Sequence, residues 1–480
     1  MEDERFKVII VGGSIAGLTL AHCLHRANID HVVLEKRAEI APQEGATIGL
    51  WPNGNRILDQ LGLYDEVGRD GETAKEWLMW IHLVYPDGFV FSHDTPRILY
   101  ERFGYGLIFL ERQKLLEILY QRYPDKSKIL LGNAVVEIQQ SASGVSVNTA
   151  DGTNYHGSIV VGADGVHSRV RSEMWRLAES LSPGLVTAKE RKTLTAEYAC
   201  VFGISSSIPG LQGGENINVC TRGFASVTFH GDGRVYWFMI TRLDRRYIYP
   251  HIPRYTVKDA EDLCARFAHV RISGNVTVRD IWESRQVGSM TAMEEGVFKT
   301  WTHDRIVLLG DAVHKSTVVT GQGANNAIED AAVLATLLEK LLTKGNKGNN
   351  EQHLDSQEIT AILKEFQVLR YARSKTLYER SRLAVRVQTC DSLAKRVIGR
   401  YIMPRIKKQI AEAASALMAG GPVIGFLPLS ARSLREWKMN ASSTGGSGWA
   451  RWMVSCLLLA VGCLFLLIFR AKNQLSIATQ

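Results

Sequence analysis

Cysteine is scarce in this chain of 480 residues, and its spacing indicates no site. The seven cysteines are scattered and odd in number, and no two form the Cys-x-x-Cys spacing of zinc or redox centres. We therefore expect neither a disulfide framework nor a metal site, and the pattern favours a reducing compartment. The chain begins directly in a strand pattern, so no secretory signal is expected.

A concentrated basic region is also missing, although the chain is positively charged overall. The formal net charge is +8 and the isoelectric point is about 9.0. Lysine and arginine are spread thinly rather than gathered in a block, so nucleic acid is not an expected partner. No Ser-His-Asp, Cys-His or metal-spaced cluster is visible. Apolar residues make up 45% of the chain, which is ordinary for a folded protein with an ample core.

The first forty residues carry the pattern of a dinucleotide-binding unit. An apolar strand at 6–11 leads into a glycine turn at 12–17, and a helix pattern at 18–26 follows. A second strand at 31–34 ends in Glu35. Glycines let the backbone approach a pyrophosphate, the helix N-terminus offers N–H groups, and an acid at this spacing binds the ribose hydroxyls.

The turn departs from the usual G-x-G-x-x-G pattern at one position. Gly12 and Gly17 are present, but Ser14 occupies the place of the middle glycine. A serine there needs negative φ or some strain, and its hydroxyl could donate to a phosphate. The alternative to a dinucleotide site is an ordinary structural βαβ unit.

Two later apolar strands also end in glycine and aspartate. One, at 159–163, runs into Asp164-Gly165, and the other, at 306–309, ends in Gly310-Asp311. The second is followed by the glycine-rich turn TGQGANN at 320–326, which opens a helix. The N-terminus of such a helix can face phosphates or the edge of a flavin.

Taken in order, these three motifs resemble the class A flavoprotein monooxygenases, which share the para-hydroxybenzoate hydroxylase fold. The resemblance covers residues 5 to about 400. The stretches GLWPNG, LERQ and YACVFGIS more narrowly resemble the FAD-dependent epoxidases of fungal meroterpenoid and indole-diterpene pathways. In that family the enzyme epoxidises a terminal prenyl double bond before a membrane terpene cyclase closes the rings.

The resemblance implies FAD as cofactor and NAD(P)H as a co-substrate that binds transiently, without a Rossmann domain of its own. Because the flavin supplies the oxygen chemistry, the protein needs no nucleophile. The residues expected to bind FAD are Gly12, Ser14, Gly17, Glu35, Gly49, Arg112, Asp164, Asp311, Gly323 and Ala324. The alternatives are a surface helix charge for Arg112 and plain turn residues for Asp164 and Asp311.

The expected fold class is α/β, a Rossmann-like FAD-binding domain with an inserted antiparallel-sheet substrate domain, C-terminal helices and a single transmembrane anchor. In the substrate sheet, Tyr198 and Tyr236 are the candidate catalytic residues, and with Trp237 they are candidate lining residues. The alternative is that these aromatics only fill the core. The expected segments are FAD-binding at 1–185 (with a hairpin at about 75–108), substrate sheet at 186–300, FAD-binding at 301–345, helices at 346–440, and linker and anchor at 441–480.

A long apolar run near the C-terminus is the basis for predicting the transmembrane anchor. It spans 17 uncharged residues at 453–469, follows a Ser/Gly linker at 442–448, and is near the short limit for a membrane-spanning helix. A buried core helix is the alternative. The flanking arginines and lysines would keep the body in the cytosol, so we expect a protein of the endoplasmic reticulum membrane.

These observations predict an FAD-dependent monooxygenase that epoxidises a farnesyl or geranylgeranyl alkene with NAD(P)H and O2. The expected partners are a prenylated small molecule and the membrane, with possible coupling to a membrane terpene cyclase. The main alternative is an aromatic ring hydroxylase of the salicylate hydroxylase type. A prenyl-chain reductase and a tethered flavoprotein without oxygen chemistry are further alternatives.

Overall fold

The computed structural model describes residues 6–42, 47–70, 79–141, 143–231, 233–345, 355–433 and 437. The strands are β1 (Lys7–Val11), β2 (Asp30–Leu34), β3 (Thr47–Leu50), β4 (Trp80–Val84), β5 (Val90–His93), β6 (Ile108–Glu111), β7 (Ile129–Leu130), β8 (Val135–Gln140), β9 (Val145–Thr149), β10 (Asn154–Gly157), β11 (Ile159–Gly162), β12 (Thr195–Ser206), β13 (Glu215–Thr221), β14 (Phe224–His230), β15 (Arg234–Ile248), β16 (Arg271–Ser273), β17 (Val276–Thr277), β18 (Arg285–Val297), β19 (Thr302–His303), β20 (Ile306–Leu308) and β21 (His314–Lys315).

The α-helices are α1 (Ile15–Arg26), α2 (Pro52–Gln60), α3 (Tyr64–Asp70), α4 (Thr95–Phe103), α5 (Arg112–Gln121), α6 (Arg169–Leu181), α7 (Ala188–Arg191), α8 (Val257–Arg266), α9 (Val278–Glu283), α10 (Gly323–Gly345), α11 (Ser356–Gln388), α12 (Leu393–Val397) and α13 (Lys407–Ala419). A π-helical turn at Ile398–Ile402 separates α12 from α13.

The first layer of the fold is a six-stranded sheet in the order β19-β20-β11-β1-β2-β7. Every pair is parallel except β19 with β20. The strand β1 is almost wholly buried, as its continuous apolar run requires when helices cover both faces of a parallel sheet. The helices α1 and α10 pack against each other beside it. The carboxyl ends of β20, β11, β1 and β2 therefore lie along one edge.

The second layer is an eight-stranded sheet in the order β21-β18-β12-β15-β14-β13-β4-β5. Its pairs are antiparallel except β13 with β4. One face packs on α8 and α9 through a cluster that contains Trp237. The other face contacts Val385 of α11 and Val319 of the loop before α10. Because side chains alternate along a strand, neighbouring residues of this sheet meet different environments.

A membrane-spanning element is not found in the described part of the chain, where no helix is both long and apolar enough to cross a bilayer. The two longest helices show why: α10 carries Glu329 and Asp330 in its apolar stretch, and α11 is rich in charged residues. This finding contradicts the transmembrane anchor of the expected fold class. The endoplasmic reticulum localisation, the membrane partner and the cyclase coupling depended on it and lose their support.

The apolar run at 453–469, which prompted the anchor, lies outside the described residues. The segment boundaries expected from the sequence stay predictions. Part of the expected hairpin at about 75–108 also falls on residues that are not described, and its visible strands β4 and β5 join the eight-stranded sheet.

Candidate cofactor and substrate site

The glycine turn after β1 has the close contacts that its sequence predicts. Gly12 has φ +109°, and a Cβ there would lie 2.5 Å from the carbonyl oxygen of Ala163. A Cβ on Gly17 would lie 1.9 Å from the carbonyl oxygen of Gly12. Ser14 is extended, with φ −98°, so its side chain causes no strain. Its hydroxyl does not cap α1, which leaves the N–H groups of that helix end available to an anion.

Glu35 lies at the end of β2 and is buried against this turn. Its carboxylate accepts hydrogen bonds from the backbone N–H of Gly13 at 2.7 Å and of Arg37 at 2.9 Å. Arg112, at the start of α5, donates to the Ser14 hydroxyl at 2.9 Å. The structure therefore brings the predicted turn, acid and arginine together.

The predicted residues Gly49 and Asp164 have structural partners of their own. A Cβ on Gly49 would lie 3.0 Å from the ring of Phe109 on the paired strand β6. Asp164 accepts hydrogen bonds from the Ser168 hydroxyl at 2.5 Å and from the N–H groups of Arg169 and Val170. Its carboxylate thus holds the start of α6, as the turn-residue alternative expects.

The loop between β20 and α10 contains the remaining predicted residues. Asp311 is half-buried and pairs with Lys315, while Gly323, next to Ala324, has open space where a Cβ would stand. Near this loop, Trp51 Nε1 and Thr320 Oγ1 are buried without a hydrogen-bond partner within the described residues.

Unpaired buried donors and an open helix N-terminus are what a bound polar cofactor would satisfy. The residues at this edge of the parallel sheet therefore fit a dinucleotide. The position also agrees with the general rule that ligands of parallel sheets bind outside the carboxyl ends of the strands.

A buried charged cluster that sequence reasoning missed lies beneath the same loop. Asp330 accepts hydrogen bonds from the N–H of Gly310 at 2.8 Å, from His314 Nε2 at 2.6 Å and from Arg370 Nε at 2.7 Å. Burial by itself would raise the pKa of Asp330, but the charges of His314 and Arg370 outweigh it and lower the pKa. His314 is thus engaged in holding the loop.

Glu329 forms the other half of this cluster. It accepts hydrogen bonds from Arg370 Nη1 at 2.8 Å, from Arg373 at 2.6 Å and from Asn53 Nδ2 at 2.7 Å. Burial opposes its ionisation, yet the two arginines lower its pKa. A sequence signal existed, since Glu329-Asp330 is an acidic pair inside the apolar stretch 327–338. Such a pair predicts buried partners.

The sheet face opposite α8 and α9 presents a patch of aromatic side chains. Phe202, Phe229 and Phe238 are half-buried there, although most of the sheet is fully buried. Phe229 stacks on Phe109 with ring centroids 3.8 Å apart. Tyr236 lies in the adjoining cluster beside Phe229.

The other two aromatic residues predicted in the sequence are buried on different faces of the sheet: Tyr198 belongs to the same cluster as the three phenylalanines, and Trp237 does not. The prediction that Trp237 lines the substrate site is wrong, because its side chain faces α8 and α9 and its indole N–H donates to the Ser205 hydroxyl at 2.8 Å. Tyr198 is buried near the end of α11, with the guanidinium of Arg386 5.3 Å from its ring centre. Burial raises the pKa of Tyr198 to about 12.

Comparison with known proteins now identifies the family. The FAD binding domain family model matches residues 5–184 and 221–359. The FAD-dependent monooxygenase nvfK of Aspergillus novofumigatus is 52% identical over 431 residues, which cover 89% of this chain and 90% of that protein. This chain belongs to the FAD-dependent monooxygenases. The FAD-dependent monooxygenase penE of Penicillium thymicola is 51% identical, over 98% of both chains.

Solved structures agree on the fold of this monooxygenase. Klebsiella pneumoniae HpxO, determined with FAD and uric acid, superposes with a TM-score of 0.70 at 22% identity, over 87% of this chain and 97% of that one. A salicylate hydroxylase substrate complex gives a TM-score of 0.64 at 19% identity, over 88% and 99%. The prediction of a class A flavoprotein fold is confirmed, and so are the enzyme class and the cofactor FAD.

FAD supplies the redox chemistry of such an enzyme, with NAD(P)H as the typical reductant of the family. The chain's own residues bind it, orient it and exclude water. The roles of the individual residues, from Gly12 to Ala324, stay predictions that the geometry above makes testable.

Proposed function

We propose that this monooxygenase epoxidises a prenyl alkene of a meroterpenoid or indole-diterpene intermediate, with NAD(P)H and O2. One oxygen atom of O2 would add to the alkene, and the other would leave as water with the two electrons of the nicotinamide. The observation that carries the proposal is the half-buried phenylalanine patch of Phe202, Phe229 and Phe238. A farnesyl or geranylgeranyl chain has only apolar surface, and aromatic rings bury such surface favourably.

The surroundings of the patch support the same substrate class. Val319, from the loop predicted to face the flavin, packs against the same buried cluster as the three phenylalanines. Phe109, stacked on Phe229, belongs to the strand that precedes Arg112. An alkene held on the phenylalanines would thus lie next to the loop that carries the predicted flavin contacts. The apolar walls would also keep water away from the reacting atoms.

To test the proposal, the full-length holoenzyme is supplied with NADPH, O2 and a farnesylated or geranylgeranylated aromatic compound. The products are analysed by mass spectrometry and NMR. A product one oxygen heavier, with the oxygen on the prenyl alkene, supports the proposal. A ring-hydroxylated product would instead indicate the aromatic hydroxylase alternative. A gain of two hydrogens would indicate a reductase.

A matched pair of variants tests the patch itself. Phe229→Ala should raise KM for the prenylated substrate about tenfold, since it removes a ring worth roughly 1.5 kcal/mol of apolar contact. Phe267→Ala is the control, because Phe267 is also half-buried but packs on the opposite face, stacked on Phe224. Equal effects of the two substitutions on KM would contradict the assignment of the patch.

A further inference from the structure

A cavity lies between the turn after β4, the turn after β13 and the segment that follows α11. Its volume is about 230 Å³. None of its lining residues belongs to the candidate cofactor site or to the phenylalanine patch. Pockets for drug-sized ligands measure about 300–1,000 Å³, so this cavity suits a smaller molecule than a dinucleotide.

An unpaired hydroxyl marks the inner wall of the cavity. Tyr85 is only 4% exposed, and its Oη has no hydrogen-bond partner within the described residues. A buried hydroxyl without a hydrogen-bond partner destabilises the fold, so the site favours a molecule that accepts its hydrogen bond. Burial raises the pKa of Tyr85, which keeps the hydroxyl protonated and able to donate.

The backbone of the segment after α12 packs closely against the Tyr85 hydroxyl. Gly399 lies in the π-helical turn Ile398–Ile402, and a Cβ there would stand 2.7 Å from Tyr85 Oη. A π-helical turn inside a helical segment is rare and is often found at functional sites.

Three guanidinium groups give the cavity its charge. Arg400 is already engaged, because it donates twice to Asp87, the carboxylate of the lining, at 3.0 and 3.1 Å. Arg222 and Arg396 also line the cavity, and their side chains form no hydrogen bond or ion pair within the described part of the chain. Two cations thus remain for a ligand, and the planar guanidinium pairs best with a carboxylate or phosphate.

The rest of the lining is apolar except for Thr221. Cys220, Cys390 and Tyr401 contribute to it, together with Tyr85 and Pro86. We propose that this cavity binds a small organic anion, whose carboxylate or phosphate pairs with Arg222 and Arg396 and whose flat apolar body lies against these side chains. One oxygen accepts the hydrogen bond of Tyr85. The site is separate from the reaction centre, so the inference does not depend on the proposed epoxidation.

Calorimetric titration of the full-length holoenzyme with benzoate, phenyl phosphate, benzamide and inorganic phosphate tests the proposal. Benzoate and phenyl phosphate distinguish the two anionic heads. Benzamide lacks the charge, and inorganic phosphate lacks the apolar body. We expect saturable binding of at least one organic anion, at least about tenfold tighter than benzamide, because the uncharged amide cannot form charge-assisted hydrogen bonds with the guanidinium groups. The flavin absorbance should not change on binding, since the cavity lies outside the cofactor site.

Variants then locate the site. Arg396→Gln and Gly399→Ala should each weaken binding at least about fivefold, the first by loss of charge and the second because its methyl group would displace the Tyr85 hydroxyl. Arg271→Gln is the matched control, because Arg271 is exposed on β16 and does not line the cavity. Circular dichroism and flavin content verify the fold of each variant. Absence of saturable binding, equal binding of benzamide, or equal affinities in all three variants and the native protein would overturn the proposal.

Discussion

Replacing Arg370 with methionine removes the cation that holds two buried carboxylates under the loop before α10. Arg370 is 1% exposed and contacts Asp330 at 2.7 Å and Glu329 at 2.8 Å. Removing one partner of a buried ion pair costs about 3–5 kcal/mol, because the other charge stays buried without compensation. Arg373 and His314 still contact the carboxylates. We therefore expect the lower end of that range, about 3 kcal/mol, for Arg370→Met.

The pH dependence of this loss has a definite sign. The folded-state pKa values of Glu329 and Asp330 are lowered, so the pair stabilises the fold above the unfolded pKa of about 4, and that stabilisation is lost as the pH falls through the folded pKa. In Arg370→Met, one of the positive charges that counteract the effect of burial is gone, so the pKa values of Glu329 and Asp330 rise. Protonation then removes the unpaired charge. The difference in unfolding free energy between native protein and variant should be largest near neutral pH and narrow below about pH 5.

Urea unfolding of the holoenzyme, followed by circular dichroism and tryptophan fluorescence over this pH range, measures the effect. Arg97→Met is the control, because Arg97 forms an exposed ion pair with Asp94 and should change stability by less than about 1 kcal/mol. Arg370→Lys keeps the charge and should lose less than the methionine variant. A loss no larger than that of Arg97→Met, or a gap that does not change with pH, would refute the reasoning.

Three further substitutions probe the cofactor turn, the sheet and an acid-sensitive contact. Gly17→Ala should abolish FAD retention, since the new Cβ would lie 1.9 Å from the Gly12 carbonyl oxygen; the flavin-to-protein absorbance ratio after purification measures this. Tyr198→Phe should leave kcat and its pH profile nearly unchanged, because a buried phenol with a pKa of about 12 does not titrate in the working range. A large loss of kcat would instead support the prediction that Tyr198 is a catalytic residue. Burial lowers the pKa of His31 to about 4. The stability that the neutral His31 contributes is therefore complete above about pH 6.5 and is lost as the pH falls through 4. In His31→Gln the free energy of unfolding should fall less steeply with decreasing pH in this range.

The cofactor half of the fold could be predicted from the sequence because its signals are local. A buried parallel strand is a continuous apolar run, and the steric needs of Gly12 and Gly17 arise within a few residues of chain. Glu35 follows its strand directly and meets the turn because β1 and β2 are neighbours. Each strand and the turn can thus be recognised from their own residues, and only the pairing of β1 with β2 had to be assumed.

The environment of the substrate sheet could not be predicted in the same way. Tyr236 and Trp237 are adjacent, and alternation along β15 places them on opposite faces. Which face meets the flavin loop depends on where α8, α9 and α11 pack, and these helices are distant in sequence. The pattern of the strand contains no information about that choice, so the prediction for Trp237 was wrong although its strand was right.

The buried charged cluster shows a different limit of sequence reasoning. Its members come from α2, β21, α10 and α11, and no local pattern links Asn53, Glu329 and Arg370. The acidic pair in an apolar helix could have been noticed as an anomaly, but its partners could not have been chosen among many arginines. Only the packing of α11 against α10 selects them.

The loop before α10 makes polar contacts on one side and apolar contacts on the other. On its underside, Gly310 and His314 are bonded to a carboxylate that is itself held by Arg370, and such directional contacts fix the position of the backbone. On its upper side, Val319 packs against the same buried cluster as the phenylalanine patch, where apolar contact imposes little direction. A loop that is held by hydrogen bonds on one side can face an apolar surface on the other without needing polar groups there. This arrangement suits a proposed substrate that offers no polar group near its reacting carbon atoms, because the precision of the site then comes from the protein alone.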